Sequence, residues 1–217
     1  MKAVAWDIDG TLVDSEGLHH RALVETCRDH GVDLAGLPDG AFQGVHMLDV
    51  WARLRPRLPA ALDRAEWLAA IDRFYIERPD ELVVMPQARE AIRVLHARGV
   101  AQVCVSNSGR RVVDANIAAL GVGDAFAFSI SLDDVFAGKP DPEPYRLAAH
   151  RLLVVPALIV AVEDSAAGAA SARAAGLFVA RYAPSGERVG EGDFWISELS
   201  ELVAFIDARM WTCSQYE

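Results

Sequence analysis

Residues 4–14 of the chain read VAWDIDGTLVD. The stretch from Lys2 to Trp6 is short, mostly apolar and β-prone, which favours a strand buried in a parallel sheet. Two carboxylates follow, Asp7 and Asp9, and residues two apart in an extended chain share a face. Gly10 allows the backbone to turn away sharply beside them. Since parallel strands end at a crevice that is open to ligands, this strand end is predicted to carry reactive groups.

The two carboxylates allow two interpretations. Acids this close repel each other unless a proton or a cation lies between them, which indicates a hard divalent ion such as Mg²⁺. A strand end followed by an ordinary Asp-Gly turn, with both acids in solvent, explains the same residues. The short string alone leaves both interpretations open, so further motifs elsewhere in the chain are needed to distinguish them.

The length, composition and net charge of the chain limit the class of protein. The 217 residues are 52% hydrophobic, enough for one large domain or one domain with a smaller insertion. A formal net charge of −10 argues against nucleic-acid and anionic-membrane partners. Three widely spaced cysteines indicate reduced thiols, no secretory leader is recognised, and no apolar run reaches the ~18 residues that span a bilayer. We therefore expect a cytoplasmic monomer that acts on a small molecule.

The chain changes character after residue 14 and again after residue 82. Ser15 to His30 reads as a helix, and the sequence beyond it stays helical and polar-rich with no convincing strand. This predicts an inserted α-helical cap subdomain at residues 15–82, with residues 1–14 and 83–217 forming the core. In the core, helical stretches alternate with strands expected at residues 100–105, 125–130, 157–162 and 177–181. The alternation predicts an α/β fold, a Rossmann-like doubly wound parallel sheet with helices on both faces.

Polar residues follow the next three strands as well. Ser106 and Asn107 precede a helix whose amides suit a phosphate oxygen, although a helix N-cap also explains the serine. Lys139 lies among prolines that restrain the backbone, although a lone lysine is usually a solvated charge. Glu163 and Asp164 follow a buried apolar run, although the start of a helix also favours acids. Each observation has a structural explanation when it is taken alone.

Together, the motifs resemble those of the haloacid dehalogenase-like (HAD) phosphohydrolase superfamily. They are, in chain order, DIDGTLVD at residues 7–14, Ser106 after an apolar strand, GKPDPEPY at residues 138–145 and EDSAAG at residues 163–168. Four motifs in order across the predicted core make the resemblance specific. It implies a phosphohydrolase built on an α/β core.

The resemblance implies a role for the residues of the first three motifs. Asp7 attacks phosphorus and becomes an aspartyl phosphate, which splits one difficult displacement into two easier ones. Asp9 protonates the leaving alcohol and then deprotonates the water that attacks the intermediate. The residues implied to bind or position the phosphate are Thr11, Ser106, Asn107 and Lys139.

The resemblance also implies Mg²⁺ as the cofactor. Asp7 and Asp164 supply carboxylate ligands, and Asp9 contributes its backbone oxygen. Glu163 supports the ion directly or through water. An acidic cluster at the strand ends is therefore the predicted metal site.

The helical insertion resembles the cap of the branch that contains phosphoglycolate phosphatase, β-phosphoglucomutase and sugar-phosphate phosphatases. The string DSEGLH at residues 14–19 is typical of that branch and implies that His19 lies at the hinge, with a solvated helix residue as the alternative. The string QGVH at residues 43–46 resembles the cap loop that reaches over the active site. Gln43 and His46 are therefore candidates for substrate contact, and His19 is a third.

Single residues separate the competing activities. Mutases of this branch carry an arginine where this chain has Met47, and dehalogenases lack the second acid, here Asp9. A non-catalytic binding module would be expected to have lost Asp7 or Lys139, and both are present. The sequence predicts a magnesium-dependent phosphatase of a small phosphorylated metabolite, either a sugar phosphate or a phosphorylated sugar acid. A β-phosphoglucomutase-like mutase is the alternative.

Overall fold

We describe the protein from a computed structural model. It describes residues 1–34, 36–37, 41–42 and 47–213, with side chains as far as residue 208. The chain divides into two compact units, one formed by Met1–Asp14 with Val84–Glu217 and the other by Ser15–Val83. Within the described ranges, no helix is both long enough and apolar enough to span a membrane.

The first unit contains a six-stranded sheet in which every neighbouring pair is parallel. Its strand order is β5-β4-β1-β6-β7-β8, so the strand that begins the chain lies inside the sheet. This is the predicted Rossmann-like α/β architecture. The strands are β1 (Ala3–Trp6), β4 (Ala101–Val105), β5 (Phe128–Ile130), β6 (Ile159–Glu163), β7 (Phe178–Tyr182) and β8 (Phe194–Ile196). A separate two-stranded sheet pairs β2 (Val13–Asp14) with β3 (Val83–Val84).

Helices cover both faces of the six-stranded sheet. Ala3 and Ala5 belong to a core cluster with residues of α6 and α7, while Trp6 points to the opposite face. There its Nε1 donates to Gln102 Oε1 at 3.0 Å, and Gln102 Nε2 donates to the backbone oxygen of Ile92 in α4 at 2.9 Å. The predicted doubly wound arrangement is thereby confirmed. The helices of this unit are α4 (Ala88–Ala97), α5 (Arg110–Leu120), α6 (Glu143–Leu152), α7 (Ala166–Ala174) and α8 (Leu199–Cys213).

The register of the three central strands places the polar residues at one edge. Trp6 of β1 lies opposite Cys104 of β4 and Val162 of β6. Asp7 is therefore level with the last residue of β6, Glu163, and close to Ser106, which follows β4. In the sequence, Asp7 stands 99 positions from Ser106 and 156 positions from Glu163, and parallel pairing brings them together.

One strand of the sheet was not predicted. Strand β8 pairs in parallel with β7 and adds a sixth strand to the five that the sequence indicated. It is only three residues long and follows a stretch rich in glycine and charge, so no apolar periodicity marks it. Tertiary packing stabilises it instead, since the rings of Phe194 and Phe205 stack with centroids 4.1 Å apart.

Two predicted strands begin later than expected. The strands expected from residues 125 and 157 start at Phe128 and Ile159. Short 3₁₀ helices, Gly123–Ala125 and Pro156–Leu158, take up the preceding residues. In the second case a proline stands at the first helical position, where its fixed φ favours a helical turn and its missing N–H costs nothing.

The second unit is helical in its described part. Its helices are α1 (Glu16–Asp29), α2 (Met47–Leu54) and α3 (Arg64–Ile76). Helix α1 packs against α3, and the ring of Tyr75 in α3 is fully buried. Asp63 caps α3, because its side chain accepts a hydrogen bond from the amide of Ala65.

Candidate active site

Asp7 is the buried acid at the end of the central strand. Only 7% of the residue is exposed. Its Oδ1 accepts a hydrogen bond from Lys139 Nζ at 2.7 Å, whereas its buried Oδ2 has no hydrogen-bond partner among the described residues. An unpaired buried carboxylate oxygen is costly, so it indicates a position that a ligand or an ion completes.

Lys139 connects Asp7 to the end of β6. Its Nζ lies 2.7 Å from Asp7 Oδ1, 2.6 Å from Glu163 Oε1 and 2.7 Å from the backbone oxygen of Val105. Burial lowers the pKa of Lys139, but the carboxylates of Asp7 and Glu163 outweigh it and hold the pKa above the usual lysine range. Lys139 is therefore a fixed positive charge, and each of its three N–H groups has an acceptor.

The side-chain amide of Asn107 holds the backbone of the lysine loop. Asn107 Oδ1 accepts from the Lys139 N–H at 2.7 Å, and Asn107 Nδ2 donates to the Lys139 carbonyl at 2.9 Å. Both ends of the amide are thus engaged with one residue. The phosphate-binding role expected for Asn107 stays a prediction, and the structure adds a contact that fixes where Lys139 emerges.

Asp7, Glu163 and Asp164 form the acidic cluster that the sequence predicted. One ligand atom from each lies within 4.8 Å of the others. Burial raises the pKa of Asp7 well above its usual range, and the neighbouring carboxylates add to this against the opposing effect of Lys139. Burial and the charge of Glu163 likewise raise the pKa of Asp164 to about 6. The cluster resists carrying its full negative charge alone, and its oxygen donors fit a hard divalent cation such as Mg²⁺.

Glu163 is the completely buried member of this cluster. Its Oε1 accepts from Tyr145 and from Lys139, and its Oε2 accepts from Ser165 Oγ at 3.2 Å. Gly168 leaves space for the carboxylate, since a Cβ at that position would lie 1.8 Å from Glu163 Oε2. The fourth motif therefore needs glycine at this position, because any side chain would collide with Glu163. The sequence assigned no role to Tyr145, although it stands within the quoted third motif.

Asp164 is held from two sides. Thr11 Oγ1 donates to Asp164 Oδ1 at 3.4 Å, and Gly10 comes so close that a Cβ there would lie 2.3 Å from Asp164 Oδ2. Gly10 also has φ of +82°, a conformation that side chains rarely adopt. On the other side, the guanidinium of Arg181 donates to the backbone oxygens of Asp164 and Ser165 at 2.5 and 2.8 Å. Sequence reasoning missed Arg181, because no motif contains it.

The Asp9 side chain is held by groups from the loop after β4 and from α5. Its Oδ2 accepts from Ser106 Oγ at 3.1 Å and from Ser108 Oγ at 2.9 Å, and its Oδ1 accepts from Asn116 Nδ2 at 3.0 Å. The predicted metal contribution of Asp9 is its backbone oxygen, and this orientation of the side chain leaves that prediction open. Ser108 and Asn116 were missed. Ser108 could have been found from the sequence, because it follows Ser106 by two residues in the same loop after β4.

The three predicted cap residues have different outcomes. His19 lies on α1, partly buried, with its ring stacked on that of Tyr75 at a centroid distance of 4.4 Å. This contact is within the second unit. Gln43 and His46 lie outside the described residues. Substrate contact by any of the three stays a prediction.

The geometry defines a class of enzyme. A buried carboxylate with one free oxygen is paired to a fixed lysine, a second carboxylate stands two residues away, and an acidic cluster offers ligands for a divalent cation. These are the parts needed to bind a phosphate ester, attack its phosphorus and move a proton. The site is that of a phosphoryl-transfer hydrolase.

Comparison with known proteins places the chain in a family. The sequence model of the haloacid dehalogenase-like hydrolase family matches residues 1–176. The chain therefore belongs to this family. The family assignment confirms the resemblance inferred from the four motifs. The phosphatases among its relatives place it in the class of phosphoric monoester hydrolases.

Three similar proteins cover nearly the whole chain. Phosphoglycolate phosphatase of Cupriavidus necator is 31% identical, over 94% of this chain and 92% of its own length. Hexitol phosphatase B of Escherichia coli K12 is 29% identical, over 93% and 94%. The crystal structure of CbbY from Rhodobacter sphaeroides in complex with phosphate superposes with a TM-score of 0.83 and 27% identity, over 93% of this chain and 96% of that one.

Proposed function

We propose that the protein is a magnesium-dependent phosphatase that hydrolyses a small phosphorylated metabolite through an aspartyl-phosphate intermediate. The observation that carries the proposal is the state of Asp7. One of its oxygens is held by Lys139 and the other is buried with no hydrogen-bond partner among the described residues. A carboxylate arranged in this way is oriented for attack and has one oxygen available for it.

The chain's own residues supply both half-reactions. A carboxylate oxygen of Asp7 forms a bond to phosphorus while the bond from phosphorus to the alcohol oxygen breaks, and Asp9 gives that oxygen its proton. A water oxygen then forms a bond to the phosphorus of the aspartyl phosphate while the bond from phosphorus to the Asp7 oxygen breaks. Asp9 takes the proton of that water, inorganic phosphate leaves, and both acids are restored. Lys139 holds Asp7 and balances the negative charge that gathers on the transferring oxygens.

The residues that would hold Mg²⁺ are those of the acidic cluster. Asp7 and Asp164 offer carboxylate oxygens, Asp9 its backbone oxygen, and Glu163 a carboxylate that acts directly or through water. When bound, the ion neutralises charge on the phosphate and on the cluster. Arg181 keeps the backbone of the Asp164 loop in place.

The names of the relatives support the proposed substrate class. The relatives named above are phosphatases of phosphoglycolate and of hexitol phosphates, which supports a sugar phosphate or a phosphorylated sugar acid as the substrate. We propose residues 15–82 as the cap that selects it, with His19, Gln43 and His46 as candidates for contact with the organic part of the substrate. Thr11 and Ser106 are proposed to position the phosphate.

A substrate panel tests the proposal. Purified protein is incubated with phosphorylated sugars, sugar alcohols and sugar acids, and released phosphate is measured with Mg²⁺ and with a chelator. We expect preferential hydrolysis of a few esters, only with the metal. Asp7→Asn keeps the shape of the side chain and should abolish turnover, whereas Asp124→Asn, at an exposed position, should not. If Asp7→Asn hydrolyses esters at the wild-type rate, Asp7 is not the nucleophile.

The same reactions separate a phosphatase from a mutase. Sugar-phosphate isomers are followed together with free phosphate, with and without an added sugar bisphosphate. A phosphatase releases phosphate steadily and needs no bisphosphate, because water takes the phosphoryl group from Asp7. Isomer formation that outpaces phosphate release and depends on the bisphosphate would establish the mutase instead.

A further inference from the structure

Asn116 is a polar residue on the buried face of a helix. Helix α5 buries Val112, Val113, Asn116 and Leu120, positions three and four residues apart that face the core. Asn116 itself is 0% exposed. Asparagine is a weak helix former, and an amide buried without partners is costly. A branched apolar residue would be the ordinary choice at this position, so the amide requires an explanation.

The explanation is its contact with Asp9. Asn116 Nδ2 donates to Asp9 Oδ1 at 3.0 Å, across 107 positions of the sequence. The other oxygen, Oδ2, receives the hydroxyls of Ser106 and Ser108. Hydrogen bonds to an ionised carboxylate are about twice as strong as bonds between neutral groups. Three donors on two oxygens therefore fix both the direction and the rotation of the carboxylate.

The hydroxyl of Ser106 is itself directed. The backbone N–H of Ser108 donates to Ser106 Oγ at 3.0 Å, which leaves the Ser106 proton free to point at Asp9. The serines and the asparagine come from two different elements, the loop after β4 and the middle of α5. Their convergence on one carboxylate is a tertiary arrangement.

The arrangement separates the two acids that differ in their proposed roles. Asp7 lies among Lys139, Glu163 and Asp164, whereas Asp9 is held on the side of β4 and α5. The two carboxylates stand two residues apart and repel each other when both are ionised. Hydrogen-bond donors from the loop after β4 and from α5 orient the Asp9 carboxylate towards themselves.

We propose that Asn116 is a positioning residue that holds the Asp9 carboxylate in the orientation from which it transfers protons. The inference rests on the proposed function in one respect, the acid–base role of Asp9. Asn116 contacts Asp9 and acts through it, and it shares this task with Ser108. Loss of the amide should leave the nucleophile intact and impair the proton transfers.

A leaving-group comparison tests the role of Asn116. The value of kcat/KM is measured for sorbitol 6-phosphate, whose alkoxide needs a proton as it leaves, and for p-nitrophenyl phosphate, whose phenolate does not. General acid catalysis is worth about 10²- to 10⁴-fold. In Asn116→Leu, similar in size to the native residue, we expect kcat/KM to fall about tenfold or more for the alkyl ester and less than about threefold for the aryl ester. Asn116→Ser, which keeps a shorter donor, should recover part of the loss.

Val113→Ala is the matched control. Val113 is fully buried on the same helix, and its apolar side chain cannot donate to Asp9. Its replacement removes packing, so the melting temperature falls while any kinetic loss is the same for both esters. An equal loss for both esters in Asn116→Leu would overturn the positioning role.

A second measurement does not depend on activity. Melting temperatures are compared for Asp9→Ala, Asn116→Leu and the double variant, all in the metal-free protein. Residues in direct contact give non-additive effects, and the coupling usual for such pairs corresponds to roughly 1–12 °C for a chain of this size. Additivity within about 1 °C would refute the contact. Should wild-type protein hydrolyse no phosphate ester, the proposed function fails, while the thermal cycle still decides whether Asn116 holds Asp9.

Discussion

Replacement of Lys139 by methionine tests the electrostatic account of the site most directly. The lysine side chain is 3% exposed and lies between two carboxylates whose side chains are 10% and 0% exposed, those of Asp7 and Glu163. Lys139→Met keeps the apolar part of the side chain and removes the charge. Two buried acids then face each other with ligand atoms within 4.8 Å and no cation between them.

The expected loss of stability is large. Removing one partner of a buried ion pair costs about 3–5 kcal/mol, because the other charge stays buried and uncompensated. For a domain of this size that corresponds to a fall in melting temperature of roughly 6–20 °C. Phosphatase activity should fall by about two orders of magnitude or more, because the transferring oxygens lose their fixed positive charge.

The dependence on pH distinguishes repulsion from lost packing. The pKa of Asp7 is already raised in the native protein, and without Lys139 it rises further. Lower pH therefore protonates one acid and relieves the repulsion. We expect the fall in melting temperature of Lys139→Met, measured by calorimetry in the presence of a chelator, to be smaller at pH 5.5 than at pH 8. Lys2→Met, at an exposed position, is the control and should change neither value.

A double variant completes the test. Glu163→Gln should destabilise the wild-type protein, because it weakens the contacts with Lys139 and Tyr145. In the Lys139→Met background the same change removes one of the two opposed charges and should raise the melting temperature. If Glu163→Gln destabilises both backgrounds equally, or if Lys139→Met melts within about 2 °C of wild type at pH 8, the electrostatic reasoning is wrong.

Three further outcomes are expected. Exhaustive chelation should stop phosphate release and added Mg²⁺ should restore it; activity that survives would contradict the metal assignment. Asp164→Asn should be inactive yet melt higher than wild type in the metal-free protein at pH 7.5, with the gain shrinking as pH falls below about 6, since a raised carboxyl pKa makes the native protein less stable as pH rises. Arg181→Met should weaken Mg²⁺ binding by calorimetry about tenfold, unlike Arg173→Met at an exposed position.

The sequence by itself determined the fold class, the family and the residues at the strand ends. Each of these is encoded locally. Apolar runs that alternate with helical periodicity predict a parallel sheet, and the geometry of such a sheet puts the ends of β1, β4 and β6 at one edge. Sheet geometry therefore predicts one site for Asp7, Ser106 and Asp164, whereas the place of Lys139 in that site comes from the resemblance of its motif to the family.

The tertiary structure alone decided which groups support those residues. Asn116 and Arg181 belong to no motif, and each acts on a residue far away in the chain, Asp9 and Asp164 respectively. Strand β8 forms because it pairs with β7, and its own three residues show no period. Such contacts depend on how helices and strands pack. Packing brings together residues that are distant in the sequence, and their proximity cannot be predicted from local sequence patterns. Local sequence therefore predicts which residues gather at the site, and the packing of the fold determines how each of them is held.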